Sequence, residues 1–207
     1  MQINEARSLI DNIAIPDGTA RWADLGCGSG LFTRALASLL PEGSSIHAID
    51  LAPAIQAGIV PGRRTTSDEA ATGRMKAGGL NADQGVRIIP VKADFITGNL
   101  DLPELDGILM ANSLHYVADK PSFLRKISAW LRPAAQFLIV EYDTDKPVSG
   151  WVPYPVSFHS LTRLFRNEGY PAGSIRKLGT RASIYNSREM YAAVAGLNTE
   201  ALNPVGI

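Results

Sequence analysis

Apolar residues Ile3, Ala6, Leu9, Ile10 and Ile13 recur at spacings of three and four, which lays them on one helical face with Asn4 as candidate cap. Pro16-Asp17-Gly18 breaks the chain, and residues 20–25 are short and apolar enough for a buried strand. A glycine-rich turn leads into a helix over residues 31–40, stopped by Pro41, and residues 45–50 form a second strand. Beyond Asp50 the pattern dissolves: Pro53, Gly58, Pro61 and Gly62 suit a loop over 52–66. Ser67 predicts a helix from Asp68 to about Lys76, ended by Gly78-Gly79. Residues 86–92 are a third strand, with Pro90 implying an edge position, and residues 107–111 a fourth. A helix over 119–131, stopped near Pro133, precedes a fifth strand at 136–142. Residues 151–155 form a stiff aromatic connector, and Ser157 caps a helix running to about Glu168 with Gly169 at its end. Residues 174–178 and 181–185 read as two strands joined by a turn at Gly179, and residues 187–190 open a last short helix. The tail beyond Gly196 shows no periodicity and reads as loose.

Strands alternating with helices predict an α/β fold, doubly wound and Rossmann-like, with a mostly parallel sheet covered on both faces. The crossovers should be right-handed. The closing pair can only be antiparallel, so the expectation is seven strands with an antiparallel hairpin at one edge. The 207 residues fit one domain over 1–195 and a tail over 196–207, with 52–85 as an insertion or lid. Hydrophobic content of 45% and charged content of 19% are those of a globular chain. Twenty basic and twenty acidic residues cancel, so no electrostatic footprint for nucleic acid or an anionic membrane is present. One cysteine, Cys27, gives no disulfide framework, and no His/Cys/Asp/Glu spacing resembles a metal site. With neither a signal segment nor a membrane span in the sequence, the expectation is a cytoplasmic protein, monomer or weak homodimer, acting on a small molecule.

The most informative stretch is Asp24-Leu25-Gly26-Cys27-Gly28-Ser29-Gly30, which follows a strand and opens a helix. Glycines there let the backbone turn sharply and let a ligand approach the main chain. A dinucleotide fingerprint would place its third glycine at position 31, where Leu31 stands, which disfavours a nicotinamide cofactor. Asp50, at the end of the second strand, is placed to accept hydrogen bonds from ribose hydroxyls. Either piece alone reads equally well as a turn or a cap; in strand–loop–helix–strand order they point to a nucleotide-like ligand.

At this point the chain resembles the class I S-adenosylmethionine-dependent methyltransferases of the small-molecule type. The resemblance spans roughly residues 20–185 and rests on motif order. Residues 22–30 are similar to the first motif, Ala48-Ile49-Asp50 to the second and Lys92-Ala93-Asp94-Phe95 to the third. Residues 107–116 resemble the fourth strand and its exit, and residues 131–137 the approach to the fifth, although a glycine is usual where Ala134 or Ala135 stands. The resemblance implies that Asp24, Gly26, Gly28, Gly30, Asp50, Leu51, Asp94, Phe95 and Asn112 surround S-adenosyl-L-methionine. By it Asp24 sits near the amino group, Asp50 at the ribose, Asp94 at the adenine amino group and Phe95 against the ring. The stretch from Asp50 to Asp94 is longer than the family's usual one. An Asn-Pro-Pro-aromatic motif, used by relatives that methylate planar amide or ring nitrogens, is absent after the fourth strand.

The reaction that the resemblance implies is an in-line displacement, which asks the protein to align an acceptor and exclude water, with a base only where the acceptor must lose a proton. His115 is the candidate base or substrate contact, and equally a histidine flanking a helix. Tyr116 is the candidate pocket wall, or a core side chain. Glu141, Tyr142 and Asp143 end the fifth strand, where one could face the acceptor or merely cap. Tyr154 and His159 could line the mouth, and Arg63-Arg64 could hold an anionic acceptor or simply be solvated. Cys27 and His47 read as structural. A non-catalytic cofactor-binding scaffold of the same fold is the alternative function.

Overall fold

The computed structural model describes residues 1–62, 85–182 and 189–196. Helix α1 (Ile3–Ile10) is capped by Gln2 rather than Asn4: the Gln2 N–H donates to the Glu5 carboxylate, and this bond leads the causes that lower the Glu5 pKa. The elements then run β1 (Arg21–Leu25), α2 (Leu31–Ala37), β2 (Ser45–Asp50), β3 (Gly58–Val60), β4 (Val86–Lys92) and β5 (Leu105–Ala111). After them come α3 (Lys120–Ser128), β6 (Leu131–Tyr142), α4 (Phe158–Asn167), β7 (Ile175–Ala182) and β8 (Glu189–Gly196). Helices α3 and α4 begin at polar caps: Asp119 accepts from the Ser122 N–H at 3.1 Å, and Ser157 from the Ser160 N–H at 3.1 Å.

Among the described residues one sheet carries eight strands in the order β3-β4-β2-β1-β5-β6-β8-β7. Strands β4, β2, β1, β5 and β6 are mutually parallel, and β8 runs antiparallel between β6 and β7. Neighbouring residues feed opposite faces, as a period of two requires. Trp22, Leu109, Leu138 and Val194 pack with Ala6, Ile10 and Leu36 of α1 and α2. Their successors or predecessors Ala23, Ile108, Phe137 and Ala193 pack with Phe123, Ile127 and Phe165 of α3 and α4. Both faces are thus covered, and the central strands read as continuous apolar runs.

Four expectations are corrected. The loop expected over 52–66 contains β3, which pairs antiparallel with Val86–Ile88 and makes eight strands instead of seven. Pro90 lies beyond the reach of β3, so its missing N–H leaves no gap on that side. The turn expected at Gly179 is a bulge inside β7, where the register shifts between Lys177 and Gly179. The second strand of the hairpin is β8, at residues where a short helix was expected to open. Its Ala192-Ala193 and Ala195 carry helix propensity, but the two flanking strands supply hydrogen bonds on both edges and both faces are buried. The helix expected to run to Leu131 ends at Ser128, because β6 already starts at Leu131. The expected helix at 68–76, residues 183–185 of the expected hairpin and the tail at 197–207 lie outside the described residues.

Candidate functional site

Strand β1 is hydrogen-bonded to β2 on one side and β5 on the other, so the chain order reverses beside it, where open α/β sheets bind ligands at the carboxyl ends. A cleft of about 350 Å³ opens there, lined by Asp24, Gly26, Gly28, Asp50, Asn112 and Tyr116, among others. A hollow of about 410 Å³ lies between α1 and β7, far from this turn in the fold.

The glycine turn is built by positive φ angles of 85° at Gly26, 50° at Gly28 and 77° at Gly30. A Cβ on Gly26 would stand 2.5 Å from Ser113 Cβ, and one on Gly30 would stand 2.3 Å from Ile55 Cδ1. Gly26 and Gly30 are therefore packing requirements. At Gly28 a Cβ would meet nothing within 4 Å, so this glycine faces the open cleft. The turn is pinned to β2 by Gly26 and Cys27 N–H groups, both donating to Ile49 O.

Asp24 ends β1 almost completely buried. The Thr33 hydroxyl donates to its Oδ2 at 2.6 Å, and Oδ1 has no hydrogen-bond partner among the described residues. Burial pushes this carboxyl up to about 7; the Thr33 hydrogen bond opposes the shift and the Asp50 charge adds to it. Across the cleft Asn112 leaves β5 with φ 54°, and its Oδ1 is likewise buried and without a partner among the described residues. Two residues that line one cleft thus each keep a buried, unsatisfied acceptor oxygen, which costs free energy unless a donor arrives. Asp50 is tied to both neighbouring loops: Oδ2 accepts from Gly28 N–H at 2.9 Å and Oδ1 from Ala52 N–H at 3.1 Å. Cys27 is a packed, protonated thiol, pushed to about 12 by burial and by the Asp24 and Asp50 charges.

Leu51 is exposed beside Asp50. Asp94 caps its own loop, accepting from the Thr97 hydroxyl and the Ile96 N–H, which hold its carboxyl below the ordinary range. Phe95 is in the core, edge-on to Phe123 at 6.0 Å and under Gly26. Tyr116 is half-exposed on the cleft wall, and His115 is buried behind it, with the two rings 4.4 Å apart. Tyr142 packs against Trp151 with ring centroids 5.5 Å apart and the planes tilted by 57°, Asp143 pairs with Lys177, and His159 is exposed on α4. Tyr154 is half-exposed and donates its N–H to His115 O at 3.0 Å. His47 lies in β2, its pKa lowered by burial. Arg63 and Arg64 lie outside the described residues. Sequence reasoning missed Thr33, Ser113 and Ile55, whose side chains hold Asp24, Leu25 O and Gly30. No local pattern marks them, because each meets its partner only through tertiary packing.

No helix among the described residues is long and apolar enough to cross a membrane. No curated protein matches the chain by sequence. Human N-acetylserotonin methyltransferase, solved with S-adenosylmethionine, is similar at TM-score 0.58 and 18% identity, over 93% of this chain and 51% of that one. This chain thus spans about half the length of the human enzyme. The N-methyltransferase NodS of Bradyrhizobium japonicum, solved with S-adenosylhomocysteine, is similar at TM-score 0.57 and 15% identity, over 98% and 86%. A Burkholderia thailandensis 1,6-didemethyltoxoflavin-N1-methyltransferase is similar at TM-score 0.56 and 17% identity, over 94% and 77%. A family model described as a methyltransferase domain matches residues 2–202, and on that match the chain belongs to the methyltransferase-domain family, with the class I Rossmann-like fold.

Proposed function

We propose that the chain binds S-adenosyl-L-methionine in the cleft at the ends of β1, β2 and β5 and transfers its methyl group to a small-molecule acceptor. The observation that carries this reading is that Asp24 and Asn112, which line the same cleft as the open Gly28, each keep a buried side-chain oxygen without a partner among the described residues. An ammonium group supplies the donors that both oxygens lack, and it offsets the burial that raises the Asp24 carboxyl. Gly28 admits a ligand against the main chain, and Asp50 keeps lone pairs for ribose hydroxyls. The cofactor supplies an activated methyl on a sulfonium; the chain's residues bind it, orient the acceptor and exclude water. A small acceptor fits the zero formal charge of the chain, and the human and Burkholderia neighbours are named for small substrates.

Calorimetry with S-adenosylhomocysteine and NAD tests the reading. S-adenosylhomocysteine should bind and NAD should not. Gly28→Val fills the open face and should abolish binding, while its left-handed backbone strain costs about 1–2 kcal/mol of stability. Gly28→Asn tolerates that backbone better and should show the same loss of binding. Wild-type affinity in a folded Gly28→Val protein would remove the cofactor from this cleft.

A further inference from the structure

His115 sits on a single 3₁₀ turn, Leu114–Tyr116, just after β5, and Glu141 sits near the end of β6. The pairing of β5 with β6 aligns Ala111 with Val140 and so brings the two strand exits together. Both side chains are buried, at 3% and 1% exposure. Glu141 grips His115 twice: Oε1 accepts the backbone N–H at 3.1 Å, and Oε2 lies 2.7 Å from ring Nδ1. Among the described residues, the charged and titratable groups nearest this pair are bonded elsewhere. Lys120 Nζ donates to Val117 O and Tyr154 O, and the Tyr191 hydroxyl donates to Val156 O. Asp143 pairs with Lys177, and Asp145 accepts from Ser157. Tyr116, whose ring covers His115, is the half-exposed wall of the cofactor cleft.

We propose that Glu141 is a positioning residue that holds His115 with its proton on Nδ1, leaving Nε2 as the base for an acceptor whose attacking oxygen or nitrogen carries a proton. A carboxylate has no proton to give, so the 2.7 Å contact requires the hydrogen on Nδ1. The inference rests on the methyl-transfer reading above. The acceptor approaches Nε2 past Tyr116, whose half-exposed ring lies against His115 and lines the cleft. The acceptor's electron pair forms the new bond to the methyl carbon, its proton passes to Nε2, and the sulfur keeps the pair of the broken C–S bond. The imidazolium so formed is balanced by Glu141.

Labelling histidine with ¹⁵N reads the ring directly. His115 is one of three histidines, and His115→Asn identifies its signals by their loss. The wild type should carry its proton on Nδ1. Glu141→Gln offers an amide N–H to Nδ1 while its oxygen still accepts the His115 N–H, so the contacts persist and the ring proton moves to Nε2. Methyl transfer is then measured to small phenols and anilines, which carry a proton on the attacking atom, and to thioethers and tertiary amines, which carry none. Turnover should be confined to the first panel. In Glu141→Gln and His115→Asn kcat should fall at least about a hundredfold, with S-adenosylhomocysteine affinity unchanged. A wild-type ring protonated on Nε2, or a tautomer that Glu141→Gln does not move, overturns the proposal. So does turnover of the second panel or of neither, or equal kcat in wild type and Glu141→Gln. Failure of the wild type to bind S-adenosylhomocysteine overturns the cofactor reading instead, and the tautomer spectrum still decides the role of Glu141.

Discussion

Replacing Asp24 with Asn should strengthen the ligand-free protein at high pH and weaken its grip on the cofactor. The carboxyl is buried at the end of β1 with one oxygen on Thr33 and the other unpartnered, and burial raises it from 3.8 to about 7. The folded state therefore holds this proton more tightly than the unfolded chain does. Below about pH 4 both states are protonated and the full stability is present. As pH rises from 4 through 7 the unfolded chain releases its proton first, and stability is lost. About three pH units at 1.36 kcal/mol each amount to about 4 kcal/mol. Asn keeps the Thr33 hydrogen bond and does not titrate, so it escapes this loss. At pH 4 the Asn amide and the protonated Asp are both neutral, so the charge-dependent loss is absent from both proteins and their stabilities should lie closest together there. Urea unfolding followed through tryptophan fluorescence at pH 4, 6 and 8 measures the difference between them, which cancels the other carboxylates. That difference should grow by about 4 kcal/mol across the range, with most of the change between pH 4 and 7. Calorimetry on the same variant should show S-adenosylhomocysteine binding weakened by about 1.5–3 kcal/mol, the worth of a charge-assisted hydrogen bond. Parallel stability curves for the two proteins would refute the account of Asp24 as a strained carboxyl waiting for a cation.

Asp50→Ala should weaken S-adenosylhomocysteine binding by about ten- to hundredfold. It should also lower stability by about 1–3 kcal/mol, since its carboxylate ties Gly28 and Ala52 backbone N–H groups; unchanged affinity by calorimetry would remove Asp50 from the site. Ala134 has φ 69°, a left-handed backbone that glycine adopts without strain, and Ala134→Gly should raise thermal stability by about 0.5–1 kcal/mol. No gain in the midpoint of thermal unfolding would show that the strain is relieved elsewhere.

The parts of this fold that were readable are those where backbone geometry dictates residue type. The turn from Gly26 to Gly30 needs three left-handed residues, and only glycine supplies them without strain. The cap Ser157 stands where it was expected because a helix start leaves N–H groups to satisfy. Strand β8 was hidden for the opposite reason. Its alanines fit between two strands and two packed layers, a demand made wholly by tertiary surroundings. The link between His115 and Glu141 was hidden too, because 26 residues separate them and only the register of β5 on β6 brings them together. Phe95 illustrates the same limit: its position after β4 was legible, whereas its contact with Phe123 depends on where α3 packs.

The placement of β8 sets an order of events during synthesis. Among the described residues it is the last strand in the chain, yet it lies between β6 and β7, so both wait for it. Until then β6 presents a long unpaired edge with Phe137, Leu138, Ile139 and Val140 along it, a template for pairing with other chains. The half of the sheet that builds the glycine turn, from β4 to β5, can close before this happens. Pairing of β8 along Gln136–Tyr142 therefore covers an edge that an incomplete chain would leave open to other strands.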